Sequence, residues 1–526
     1  MKKFFFENNR TKNSKKFERV KIIFFKRLNR ILNSLFVIFF ASLRSKITVV
    51  IQNLKSKITQ ATPFSILAIL IVIGSVAAAA FENIYLLALP AFFLLVFWTI
   101  SDFTAVFFML MACIPISIEY EFPNGLGTDL PTEPLIVGLM LAYFLFIIKK
   151  GIIIRSGQFF RHPITLLLLL HFGWIIICTL NAQNHILSVK YSLAKMWYIT
   201  TFYFLAGYVL RNYRRIELFF WSIFIPLLAA LLVTLFRHAQ LGFSFDDVNK
   251  AVQPFFRNHV NYASVTVVFL PFVFWAWRWY RGYFAVRILL FFGILVFLMA
   301  IQFSYTRAAY VCLVGTLAYY FVVRWRLTRI ALVAITIFSS FFIYNLLQEN
   351  RYLDYAPNFH KTISHHKFEN LLTATAKGED ISTMERVYRW VAGAHMIAER
   401  PILGFGPANF YDAYRAYTVN SFKTYVSDNK EGSTVHCYYL LIAIEQGVPG
   451  FLIFIALIFT VLIRGEDIYH RSDTAKKSLI MTALLVFVTI LQILLINDMI
   501  ETDKIGSFFF MMAALIANLD DYSNNS

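Results

Sequence analysis

Arg307 and His436 stand where long apolar runs meet polar sequence, and Arg386 and Arg389 lie in the long polar stretch between them. Guanidinium forks match phosphate oxygens bidentately and stay charged at any biological pH, so such arginines suit a pyrophosphate. An imidazole accepts a proton near neutrality, and cations beside it favour its neutral, basic form. Together the four could displace a pyrophosphate by a hydroxyl: the arginines take up charge on the leaving group, and the histidine takes the proton. Singly, each has a plainer role. A boundary arginine snorkels, a rim histidine caps a helix, and a charged helix stripe faces solvent.

The surrounding spacing groups them. Ser382 and Glu385 form an S-x-x-E capping box that predicts a helix running to Pro401. On it Arg386, Arg389, Trp390 and Gly393 fall at i, i+3, i+4 and i+7, a basic and aromatic stripe. PILGFGPANF then reads as a turn, without the strand-turn-helix setting of a nucleotide loop. Upstream, RNHVNYASV puts Arg257, His259 and Asn261 at the mouth of an apolar run, either as interfacial hydrogen-bonding groups or as contacts to a lipid-linked substrate. Two rivals to His436 are weaker. Glu445 lies half a helical turn off its face and deeper, which reads as structural. Glu501 and Asp503 supply only two carboxylates, too few ligands for a divalent ion.

The elements that must position these groups are membrane helices. The chain has 526 residues, 59% apolar and only 15% charged, with a mean hydropathy of +0.62, where soluble domains carry about 25% charged residues. Fourteen apolar runs follow residue 63: 64–81, 84–100, 103–118, 135–148, 163–180, 196–210, 217–236, 260–277, 284–302, 308–323, 330–347, 437–463, 478–496 and 505–518. We therefore expect an all-α polytopic membrane protein with about 12–14 transmembrane helices. Residues 1–60, with eleven basic side chains in the first thirty, read as a basic cytoplasmic arm with an interfacial helix rather than a signal peptide. The net charge of +19 then follows from Lys and Arg in cytoplasmic loops and calls for no nucleic acid. The positive-inside rule keeps both termini in the cytoplasm and puts residues 348–435 outside as one large loop, between transmembrane helices in 61–347 and 436–526. Lys190, Lys195 and Lys504 fall in short outer loops on this reading. Cys113, Cys178, Cys312 and Cys437 lie in or beside apolar runs and read as buried thiols.

In this order the segments SYTRAAYVCLVG, ERVYRWVAGAHMIAERPILGFGPANF and HCYYLLIAIEQGVPG, with HVNYAS upstream, resemble the O-antigen ligase and O-antigen polymerase superfamily of integral-membrane glycosyltransferases, and O-antigen ligases most. The resemblance covers roughly residues 255 to 465. It implies a GT-C-like fold in the bacterial inner membrane with a periplasmic active site. It further implies inverting, metal-independent transfer of a glycan from undecaprenyl pyrophosphate to an acceptor hydroxyl, such as one on the lipid A core. Arg307 and Arg386 would hold the pyrophosphate, with Arg389 as a helper, and His436 would activate the hydroxyl. No cofactor is implied. The family commonly has Asn after its histidine; Cys437 here puts one hydrogen bond in doubt. A polymerase and a protein O-oligosaccharyltransferase share these motifs. A lipid or solute transporter would instead carry ionisable groups at mid-membrane, where only His171 and Glu445 stand out.

Overall fold

The computed structural model describes residues 101–121, 127–150, 157–349, 381–419 and 434–524, with a few flanking positions. The basic arm, the first two apolar runs and residues 352–380 and 420–433 lie outside the described residues. Among the described residues the architecture is all-α apart from one hairpin, in line with the expected all-α fold. Helix α1 (Phe103–Cys113) leads into strands β1 (Ile118–Glu121) and β2 (Gly127–Leu130). These pair antiparallel with Ile118 opposite Leu130. Then come α2 (Thr132–Lys150), α3 (Pro163–Leu180), α4 (His185–Tyr198), α5 (Tyr213–Gln240), α6 (His259–Trp279), α7 (Phe284–Phe303), α8 (Arg307–Arg324) and α9 (Thr328–Leu347). The chain continues with α10 (Ile381–Glu399), α11 (Tyr438–Arg471), α12 (Thr474–Ile493) and α13 (Asp503–Asn524).

Polar side chains set many of the starts. Asp102, Asn184, Asn258 and Asp473 accept amide hydrogens in the first turns of α1, α4, α6 and α12. His162 does the same for α3, ahead of Pro163; its other ring nitrogen lies 3.1 Å from the buried Asp520 carboxylate. Each cap takes up a backbone donor that a membrane helix cannot leave bare.

Among the described residues, seven helices are long and apolar enough to cross a membrane: α3, α5, α6, α7, α9, α11 and α12. The fuller expectation of 12–14 also counted two runs outside the described residues, the runs in α1 and α2, which are short, and 196–210, 308–323 and 505–518, which fall outside these seven helices. Helices α6, α12 and α13 form the interior, where Phe508, Phe509 and Met511 to Ala517 are buried. Helices α7 and α9 show rows of large apolar side chains outward, the arrangement lipid contact requires.

Two corrections concern lysines expected in outer loops. Lys195 sits in the last turn of α4, almost fully buried, 2.7 Å from Glu501 and against the rings of Tyr191, Tyr438 and Phe510. Lys504 is buried in α13, where it donates to the carbonyls of Ile114 and Ser117 at 2.9 and 3.0 Å. In both, partners close in space but remote in sequence offset the cost of burying an ammonium.

Candidate functional site

The site is built on the start of α11. Its kink comes first, because everything else is referenced to it. Gly447 has φ 70°, and a Cβ there would meet the carbonyls of Ile402 and Pro401, so only glycine fits. The kink frees backbone groups that 401–410 takes up. Phe405 and Gly406 donate to the carbonyls of Ile444 and Glu445 at 3.1 and 2.9 Å, and Val448 donates to Pro401 at 2.7 Å. The buried Glu445 carboxylate accepts the amides of Ala408 and Phe410 at 2.9 and 3.1 Å. Glu445 thus has the structural role expected of it, and PILGFGPANF is a turn locked to α11 rather than a phosphate loop.

Helix α10 ends at Glu399, just ahead of that turn, as the Pro401 signal requires. Its other end differs from expectation. The described helix already includes Ile381, ahead of Ser382, and Glu385 lies 3.5 Å from Arg389. Gly393 lets α10 approach α11 closely at Ile444. The stripe of Arg386, Arg389, Trp390 and Gly393 therefore packs inward instead of facing solvent.

That stripe grips the residues before His436. Arg389 donates to the carbonyl of Thr434 at 3.3 Å, and Trp390 donates its indole N–H to the carbonyl of Val435 at 3.0 Å. The Thr434 hydroxyl donates to Asp498 at 2.8 Å. His436 follows with φ 52°, a left-handed conformation that a side chain bearing a Cβ rarely adopts. Its imidazole is half-buried, and its Nδ1 has no hydrogen-bond partner among the described residues. Burial first, then the charges of Arg386 and Arg389, lower its pKa to about 4, so it is neutral at physiological pH. The sequence reading expected the arginines to act in this direction.

The next residue, Cys437, is the N-cap of α11 and makes no side-chain capping bond. Its thiol lies within reach of the amides of Tyr439 and Leu440 in the first turn, a weaker acceptor than an asparagine oxygen in that place. The amide of Tyr438 is instead 2.9 Å from the Leu494 carbonyl.

The upstream residues approach by another route. Arg257 pairs with Glu119 at 3.8 Å and lies within electrostatic reach of Asp498. His259 is bonded to Asn249 at 2.9 Å, and its carbonyl accepts the Thr306 hydroxyl at 3.4 Å. Arg307 follows Thr306 as the first residue of α8. Asn261 is buried in the first turn of α6, and its side-chain oxygen is unbonded among the described residues. The two carboxylates weighed as an ion site part company: Glu501 accepts from Lys195 and Tyr191, while Asp503 accepts from Ser117 and Thr132.

Asp498 escaped the sequence reading. Burial raises its pKa, while the Thr434 hydroxyl and the charge of Arg257 act the other way. It lies in a short polar link, INDMIETDK, and its partner is 64 residues away. The one available signal was that a link so rich in acids follows an apolar helix.

The arrangement is a pair of arginines beside a neutral imidazole whose Nδ1 is unbonded among the described residues, suited to an anionic substrate and a proton transfer. Residues 292–455 match the family model described as O-antigen ligase. The matched span runs from α7 into α11 and contains Arg307, Arg386, Arg389, Trp390 and His436. No curated protein matches the chain.

Proposed function

With a domain of the O-antigen ligase superfamily at residues 292–455 as the premise, we propose that this membrane protein is a glycosyltransferase moving a glycan from undecaprenyl pyrophosphate to an acceptor hydroxyl on the lipid A core. The observation that carries the proposal is the neutral imidazole of His436 beside Arg386 and Arg389. In the proposed reaction the acceptor oxygen attacks the anomeric carbon opposite the pyrophosphate. The carbon–oxygen bond to phosphate breaks, its electron pair goes to the leaving pyrophosphate, and configuration inverts. Arg386 and Arg307 take up the growing charge, and His436 accepts the hydroxyl proton. This division of labour asks for no metal ion and no cofactor.

The reading includes a topology. Residues 348–435 and the site face the periplasm, both termini and the basic arm of residues 1–60 stay in the cytoplasm, and the protein resides in the bacterial inner membrane. Arg257, His259, Asn261 and Trp390 complete the surroundings as accessory residues. The test is surface polysaccharide on gels from cells carrying wild type, His436→Ala, Arg307→Ala or Arg386→Ala, each checked for membrane expression. Loss of polymer attached to lipid A core, with normal-length polymer left on its carrier, supports a ligase. Attached chains that shrink to one repeat make the protein a polymerase; three variants indistinguishable from wild type refute the assignment of residues.

A further inference from the structure

Every part of the His436 turn is referenced to α11. The imidazole sits two residues before its first turn. Helix α10 is fixed to the same helix twice, through Gly393 against Ile444 and through the 401–410 turn on the Gly447 kink. From that fixed helix, two donors on adjacent residues reach two adjacent carbonyls, those of Thr434 and Val435. A left-handed histidine persists only where its surroundings over-determine it, and these two bonds supply that constraint from one side. Asp498, through the Thr434 hydroxyl, supplies it from the other.

Arg389 is also the wrong kind of cation to receive a substrate. Its side chain is 7% exposed, and its guanidinium is already shared between the Glu385 carboxylate and the Thr434 carbonyl. Its Nε is without a partner among the described residues but is fully enclosed, so a pyrophosphate could reach it only by opening the packing of α10 against the Thr434 turn.

We infer that Arg389 and Trp390 are positioning residues: they hold the backbone turn that presents His436, and they do not bind the donor. This departs from the sequence-based role of Arg389 as a helper at the pyrophosphate, and it rests on the reading of His436 as proton acceptor. The consequence is that one helix sets both halves of the chemistry. Arg386, three residues earlier on the same stripe, stands beside the imidazole that Arg389 and Trp390 orient.

Trp390→Phe tests this, because it keeps the ring and deletes only the indole donor. Arg389→Lys is the second variant; it keeps a cation opposite Glu385 and loses the fork. Full-length proteins are compared for elution as a single folded species, then assayed with carrier-linked glycan extracted from cells lacking the protein and lipid A core from the same cells. Losing one such bond should lower kcat about 3- to 10-fold and leave the donor KM within about twofold. Independently of activity, diethyl pyrocarbonate modification of His436, read by peptide mass spectrometry against the exposed His395, should change severalfold in both variants. A raised donor KM with unchanged kcat would make these residues donor ligands and overturn the inference. So would wild-type kinetics together with a wild-type modification rate. If His436→Ala transfers glycan as well as wild type, it is the underlying reading that fails, and the modification rate still reports whether Trp390 sets the turn.

Discussion

The neutral state of His436 predicts an unusual pH profile. In the unliganded protein its pKa is lowered to about 4, against an ordinary value of about 6.5. The difference corresponds to about 3 kcal/mol against the protonated form. At pH ~5.5 an ordinary imidazole would be only about 10% neutral, whereas one titrating near 4 is almost wholly so. The acid limb of kcat/KM, which reports the free enzyme, should therefore lie near pH 4, and activity at pH ~5.5 should stay about tenfold above that of an unperturbed histidine. The groups around the imidazole turn are Arg386, Arg389, Glu385 and Asp498. A bound pyrophosphate offsets the charge of Arg386 but not burial, which is the largest cause. The limb of kcat, which reports the substrate complex, should accordingly move above 4 and stop short of 6.5. Arg386→Gln should move the free-enzyme limb in the same direction. Initial rates from pH ~4 to 8 at saturating and limiting donor decide this, with His436→Gln showing which limb belongs to the imidazole. A kcat/KM limb at 6.5 in the wild type would mean that His436 is not the base, or that it is neither desolvated nor beside the arginines. Linkage runs the same way. Between pH 6.5 and 4 an unfolded chain binds a proton that the folded histidine refuses, so this residue's contribution to stability falls as the pH drops through that window.

Three further expectations concern the supports of the site. Glu445→Ala leaves two buried amides without an acceptor and should cost about 2–4 kcal/mol, seen as a lower unfolding temperature in detergent, while Glu445→Gln should recover part of it. Gly447→Ala places a Cβ against the carbonyls of Ile402 and Pro401 at a positive φ; a fall of several-fold in folded yield is expected, and wild-type yield would contradict the described kink. Lys195→Met leaves the Glu501 carboxylate without its cation and should destabilise by about 2–3 kcal/mol, whereas adding Glu501→Leu should restore much of the loss, as a denaturation series of the three proteins would show.

What the sequence revealed follows from how each signal is encoded. Hydropathy is local, so the run 163–180 coincides with α3, and 260–277 and 284–302 fall inside α6 and α7. Pro401 ends α10 through a steric clash that any single chain displays, and the R-x-x-x-W spacing puts Arg386 and Trp390 on one face wherever a helix forms. The misses all depend on partners remote in sequence. Lys195 looks like a loop residue until Glu501 is brought beside it, and 196–210 is therefore the end of a helical stretch that began at His185. The direction of the stripe on α10 could not be read, because a basic face seeks water unless backbone carbonyls wait opposite it. Asp498 gave no periodic or compositional sign of its bond to Thr434.

Helix α9 carries a different kind of consequence. Only 6% of its apolar window is buried, against 78% for α6. Its described polar anchors are at one end, where the Glu466 carboxylate accepts the amide and hydroxyl of Thr328 and Asp467 pairs with Arg329. Beyond that anchorage, what the bilayer asks of α9 is greasiness and length, not shape. Its letters can be shuffled among Ile, Val, Leu and Phe with little penalty, whereas every exchange in α6 must negotiate with its neighbours.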